Sequence, residues 1–264
     1  MEIKGSEAVV TGAAGGLGAA IARALHVRGA RLILTDRRGE ALNSLASQFN
    51  GAESFVCDLA DSRQVAQLTA RLASTDIVVA NAALPATGKL EDFTPEQLNR
   101  ALDVNLRVPM LMTQQLLPGM LQRGRGHFVY ISSIAGKLPS ARVPIYSATK
   151  AGLRGFCGSL RQDLHGSGVG ASVVFPGTMT DAGLLADAGL PSTPGTKGTS
   201  CDFVARRVIP AIEKNLGEVN AAELPIRIMA RFGGVVPELA ARLARRKDSI
   251  AWGDQVTDGL RHLR

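Results

Sequence analysis

Ala8-Val9-Val10-Thr11-Gly12-Ala13-Ala14-Gly15-Gly16-Leu17-Gly18 begins as a short apolar run and turns on a cluster of glycines. It then continues into a pattern that puts Leu17, Ile21 and Leu25 on one helical face. Glycines at such a turn let the backbone bend sharply and let an anionic group approach the helix N-terminus, where exposed amides and the helix dipole stabilise its charge. A glycine cluster alone is equally a tight turn. The order strand, glycines, helix is what raises it to a dinucleotide-binding turn, with Gly12, Gly16, Leu17 and Gly18 against the pyrophosphate.

The same alternation repeats outward along the chain. Arg31–Thr35, Ser54–Cys57, Asp76–Ala80, Gly126–Ser132 and Ala171–Phe175 read as strands. Gly39–Phe49, Ser62–Leu72, Thr94 to about Met120, Tyr146–His165 and Asp202–Asn215 read as helices. Thr94 with Pro95 and Gln97 has the form of an N-cap and capping box. Strands apolar on both faces and separated by helices predict a doubly wound, Rossmann-type parallel α/β sheet in a single domain. That domain is expected over 1–223, with a substrate loop rich in Gly, Pro, Ser and Thr at 182–200. The remainder, 224–264, is expected to be an atypical helical extension, with Pro237–Lys247 a basic amphipathic helix.

Composition excludes several classes. The chain has 264 residues, enough for a substantial core without metal or disulfide support. Its three cysteines, Cys57, Cys157 and Cys201, have no CxxC spacing, and its four histidines have no ligand spacing, so no metal is expected. The balance of 30 basic to 23 acidic residues is spread along the chain and not interleaved with aromatics, which argues against nucleic acid. No apolar run reaches the ~18 residues of a spanning helix, and no signal peptide precedes the first strand. A cytoplasmic protein without a membrane partner is expected.

The second strand ends at Asp36, where a carboxylate can accept hydrogen bonds from both adenosine ribose hydroxyls and repel a 2′-phosphate. This favours NAD. Arg37 and Arg38 follow and leave NADP open, because a guanidinium can clamp that phosphate. Farther on, Tyr146-Ser147-Ala148-Thr149-Lys150 places a lysine one helical turn after one of only two tyrosines. An ammonium beside a phenol favours the phenolate and makes it a usable acid/base. The fifth strand runs into Ser133 at its carboxyl end, where ligands sit in open α/β sheets.

With these residues in view, the sequence resembles the shorter, single-domain branch of the short-chain dehydrogenase/reductase family. TGAAGGLG matches its TGxxxGxG, and YSATK matches its YxxxK, with Ser133 thirteen residues before Tyr146. Asn81-Ala82-Ala83 match its NAG motif with alanine for the glycine. The resemblance implies a Ser-Tyr-Lys-Asn mechanism. Tyr146 would exchange a proton with the substrate oxygen, and Lys150 would lower the Tyr146 pKa and bind the nicotinamide ribose. Ser133 would orient the substrate, and Asn105 would position a water. It further implies that Asp58 and Leu59 contact adenine, that Asn81 and Ala82 border the cofactor, and that Pro176, Gly177 and Met179 lie beside the nicotinamide. Asp181 replaces the threonine often found four residues after that glycine.

The reading that follows is an NAD(P)-dependent oxidoreductase acting on a secondary alcohol or ketone. Leu84-Pro85, Ile134–Pro139 and Met179 supply few charges, so the substrate is expected to be lipophilic. A homodimer or homotetramer is expected, held by the helices near Thr94–Met120 and Tyr146–His165. The alternative is a cofactor-binding regulatory protein of the same fold without turnover, which would be expected to lack the tyrosine or the lysine. An epimerase or dehydratase of the longer branch would need an added substrate domain.

Overall fold

Seven strands build one sheet: β1 (Glu7–Thr11), β2 (Arg31–Asp36), β3 (Glu53–Val56), β4 (Ile77–Ala80), β5 (Gly126–Ile131), β6 (Val169–Pro176) and β7 (Glu218–Ala221). All pair in parallel, in the order β3-β2-β1-β4-β5-β6-β7. This computed structural model describes every residue except 139, 184, 185, 187, 188, 190–196, 233–246 and 262–264. The helices are α1 (Gly16–Val27), α2 (Gly39–Ala46), α3 (Ser62–Arg71), α4 (Pro95–Leu102), α5 (Val108–Arg123), α6 (Pro144–Asp163), α7 (Cys201–Glu213), α8 (Leu224–Phe232) and α9 (Lys247–Leu260).

Strand residues alternate between two apolar layers. Val10, Leu34, Val79, Val129 and Val174 pack on one side with Leu17, Ile21 and Leu25 of α1 and with Val204 and Val208 of α7. Val9, Ile33, Val78, Phe128 and Val173 pack on the other with Val65 and Leu68 of α3, Met112 and Leu116 of α5, and Leu153 of α6. Each such side chain contributes about 1.5–3 kcal/mol when fully buried. Covering both faces is what permits uniformly apolar strands.

The long helix expected from Thr94 to Met120 is interrupted. Its start is as read, with the Thr94–Gln97 capping box formed, but Asp103–Arg107 is a π-helical turn between α4 and α5. Pro109 supplies the reason. It has no N–H to give the carbonyl four residues back, that of Asn105, and its ring crowds that carbonyl. The ladder therefore widens at Asn105. The substrate loop 182–200 lies largely outside the described residues. Of the tail helix expected at Pro237–Lys247, only Lys247 is described, as the first residue of α9.

Candidate active site

β1 and β4 are neighbours in the sheet although two strands separate them in sequence. At this reversal of strand order their carboxyl ends open a crevice, the usual ligand position in such sheets. A cavity of about 800 Å³ occupies it. Gly12, Gly16, Leu17, Gly18, Asp36, Arg37, Asp58, Leu59, Asn81, Ala82, Ser133, Tyr146, Lys150, Pro176, Gly177 and Met179 all border it. Asn105 is not on this wall and lies buried behind it.

The glycine turn is shaped for close approach. Gly12 has φ +64°, and a Cβ there would come within 2.8 Å of Ala82 Cα. A Cβ on Gly18 would run into the Gly12 carbonyl, and one on Gly16 into Ala182. Asn81 fixes the turn from β4, its Nδ2 donating to the carbonyls of Thr11 (2.9 Å) and Gly12 (3.2 Å). Thr11 Oγ1 accepts from the amides of Asn81 and Ala82, each at 3.0 Å. Gly15, the α1 N-cap, provides no side-chain bond to the first amides. A bare helix N-terminus behind side-chain-free residues fits a pyrophosphate.

Asp36 is buried at the end of β2. Its Oδ2 accepts from Ala14 N (3.1 Å) and Arg38 Nη2 (3.3 Å), and its Oδ1 from Arg38 N (3.0 Å) and Nε (3.1 Å). These four bonds use the ~four lone-pair positions of a carboxylate. Ribose hydroxyls can reach it only if the Arg38 side chain, 56% exposed, swings aside. Asp58 is engaged similarly: Arg100 Nη2 donates to its Oδ2 at 3.3 Å, and Ala60 N to its Oδ1 at 2.9 Å.

The two tyrosines separate cleanly. Tyr130 is sealed in the core with its hydroxyl 2.7 Å from Thr113 Oγ1, whereas Tyr146 faces the cavity. Burial pushes the Tyr146 phenol up to about 12, and a hydrogen bond with the Ser133 hydroxyl works against that rise. Ser133 Oγ accepts from Ala135 N at 3.1 Å, which leaves its proton to give to the phenol oxygen. The Ser133 turn is pinned on α6 by Ser132 Oγ donating to Lys150 O at 2.8 Å. It is also tied to β7 by Lys137 Nζ on Glu218 and Asn220.

Lys150 lies beside Tyr146, with its ammonium held by the backbone of β5. Its ammonium donates to the Ile131 carbonyl at 2.8 Å and stands 5.5 Å from the Tyr146 ring centroid. Burial lowers its own pKa to about 8. Desolvation is the leading cause of the shift at both groups.

Asn105 spends its side chain on the backbone of Leu84, accepting from the amide at 2.7 Å and donating to the carbonyl at 2.9 Å. Asp181 turns away from the cavity to cap α7, both carboxylate oxygens accepting from Cys201 N at 3.0 Å.

Three contributors went unread in the sequence. Arg100 reaches Asp58 from α4, a pairing that no local spacing announces. Arg142, four residues before Tyr146, borders the cavity with φ +64°. Ile226 of α8 and Trp252, Gly253 and Val256 of α9 border it too, where the sequence suggested only a peripheral extension. The i, i+4 spacing of Trp252 and Val256 was the available signal. Among the described residues no three His, Cys, Asp or Glu gather as a metal site, and no helix is long and apolar enough to cross a membrane.

Doubly wound sheets with a glycine turn at the switch point form a broad class of nucleotide-binding proteins, and this chain falls within it. Residues 6–188 match the family described as short chain dehydrogenase, and the chain belongs to that family of oxidoreductases. Ketoacyl reductase HetN of Nostoc sp. is 31% identical over 257 residues, covering 92% of this chain and 89% of that protein. A metagenomic short-chain oxidoreductase solved in complex with NADP is 33% identical, with a TM-score of 0.70 over 83% of this chain and 98% of that one. A Burkholderia phymatum short chain dehydrogenase/reductase solved in complex with NAD shares the fold at 24% identity, with a TM-score of 0.80 over 90% and 96% of the two chains.

Proposed function

We propose that this protein is an NAD(P)-dependent oxidoreductase that interconverts a lipophilic secondary alcohol and its ketone. The observation that carries the reading is that Ser133, Tyr146 and Lys150 border one cavity with the glycine turn. Tyr146 is the group that gives a proton to, or takes it from, the substrate oxygen. Ser133 fixes that oxygen and steadies the phenolate. Lys150, cationic below about pH 8, favours the phenolate and binds the nicotinamide ribose. Asn105 holds a water on the proton route and fixes the Leu84 wall.

The residues fit a dinucleotide. Gly12, Gly16, Leu17 and Gly18 receive the pyrophosphate, Asp36 and Arg37 the adenosine ribose, and Asp58 and Leu59 the adenine. Asn81 and Ala82 border the cofactor, and Pro176, Gly177 and Met179 lie beside the nicotinamide, which when bound supplies or accepts the hydride. Asp36 favours NAD. The NADP of the metagenomic relative and the Arg38 side chain beside Asp36 keep the phosphorylated form open. Residues 1–223 carry the sheet and the reacting groups, with 224–264 as a helical extension. The assembly is a homodimer or homotetramer through the helical region Thr94–Met120, which holds α4 and α5, and through α6.

Absorbance at the reduced-nicotinamide band, with a panel of ketones and alcohols and with each cofactor, tests the reading. Turnover of lipophilic ketones supports it. Cofactor binding without turnover of any member supports a regulatory protein instead.

A further inference from the structure

We propose that Trp252 selects the substituent on the substrate's reacting carbon, and that the Arg142–Asp254 ion pair holds it at that post. This deepens the alcohol/ketone reading and rests on it.

The C-terminal helices add apolar side chains to the cavity lining. Ile226, Trp252 and Val256 face it together with Leu84, Pro85 and Val143. Arg142, which also borders the cavity, is paired with Asp254, so the wall favours an uncharged hydrocarbon substituent. Trp252 is the largest side chain on this wall. Its Nε1 is buried and has no hydrogen-bond partner. The indole is therefore not fixed by a polar contact within the protein, and packing and the docking of α9 set its place.

That docking has one charged anchor among the described residues. Arg142 Nε and Nη2 donate to the two carboxylate oxygens of Asp254 at 2.5 and 3.2 Å. The bidentate fork fixes orientation as well as distance. Gly253 lets the helix close on the arginine stem, because a Cβ there would lie 3.1 Å from Arg142 Cγ. Arg142 is itself left-handed, and its carbonyl accepts from Gly88 N at 2.6 Å. A non-glycine residue keeps such a conformation only where its surroundings over-determine it. One residue thus ties the Trp252 helix, the loop after β4 and the approach to Tyr146.

Trp252 is the single tryptophan of the chain, so its emission reports on this wall alone. The full-length protein loaded with oxidised cofactor is titrated with 2-butanone, cyclohexyl methyl ketone and adamantyl methyl ketone, which absorb only weakly where indole is excited. With excitation at about 295 nm and correction for ketone absorbance against free tryptophan, the two bulky ketones are expected to change the emission saturably and to reduce acrylamide quenching. In turnover with reduced cofactor, Trp252→Ala is expected to raise kcat/KM for the adamantyl ketone relative to 2-butanone by about tenfold or more, the worth of at least one methylene in an apolar pocket. Trp252→Phe is expected to stay near wild type. Asp254→Asn is expected to raise KM for the adamantyl ketone more than for 2-butanone, with Asp254→Glu restoring it. Flat emission across the panel, or unchanged ketone ratios in Trp252→Ala, overturns the proposal while leaving the oxidoreductase reading intact. Responsive emission without any turnover by the wild type overturns that reading and supports Trp252 as a binding wall.

Discussion

The Asn105 side chain grips Leu84 at both its amide and its carbonyl, 2.7 and 2.9 Å away, and so fastens the π turn between α4 and α5 to the loop after β4. That loop carries part of the cavity wall, so one buried amide serves both stability and the site. Asn105→Ala leaves two Leu84 groups unpaired, at about 2 kcal/mol in total. Tm is expected to fall by roughly 4–8 °C for a chain of this size. Asn105→Asp still accepts from the amide but cannot donate to the carbonyl, so it is expected to lie between. Equal Tm values in wild type and Asn105→Ala would remove the structural half of this argument.

Tyr146→Phe is expected to lower kcat by ~10²-fold or more, since it removes the one hydroxyl placed to pass the proton. The ring keeps its packing, so cofactor affinity measured by fluorescence is expected to change little. Retention of more than about a tenth of kcat sinks the assignment of Tyr146 as the acid/base. Tyr130→Phe is the control. Its hydroxyl is bonded to Thr113 in the core, so a stability loss with kcat preserved is expected.

At the cofactor's ribose end, Asp36 does two things at once. It presents a carboxylate, and it ties down the Arg38 guanidinium. Asp36→Ala removes the negative charge and releases the arginine, so both effects favour a 2′-phosphate. The ratio of kcat/KM for NADP to that for NAD is expected to rise by about tenfold or more, equivalent to ~1.4 kcal/mol. A wild type that already prefers NADP defeats the expectation that Asp36 favours NAD.

The sequence disclosed what periodicity and punctuation encode. The capping box at Thr94, the glycine turn and the six apolar runs each carry their information within a few residues, and all appear where they were read. Asp36, Ser133, Tyr146 and Lys150 were legible because they stand at strand ends or one helical turn apart. What stayed hidden is relational. That Arg38 would fold back on Asp36, that Arg100 would reach Asp58 and that α9 would bring Trp252 to the cavity depends on tertiary packing across as many as 112 residues, as in Arg142–Asp254. The π turn is an intermediate case. Pro109 four residues after Asn105 signals a broken carbonyl partner, but the apolar pattern runs through it and masks the break.

The buried Lys150 gives stability a pH signature that can be worked out in sign. Unfolded, this lysine holds its proton to about pH 10.5, whereas burial lets it go near 8 in the folded protein. Between those values the unfolded chain binds more protons, so stability rises with pH, by at most about 1.4 kcal/mol per unit. Below 8 both states are protonated and the full desolvation penalty applies. Tyr146 acts in the opposite sense higher up. Its pKa is raised from 10 to about 12, so between these values the folded state holds the extra proton and stability falls as pH increases. Together the two groups place their joint optimum near pH 10. Lys150→Met removes the first contribution and leaves the second. The unfolding free energy of wild type minus that of Lys150→Met, from urea titrations at each pH, is therefore expected to be level from pH 6 to 7.5 and to climb from 8 to 10. A difference that stays level to pH 10 would show that Lys150 is solvated well enough to keep an ordinary pKa. It would then be a full cation at every pH where the enzyme works.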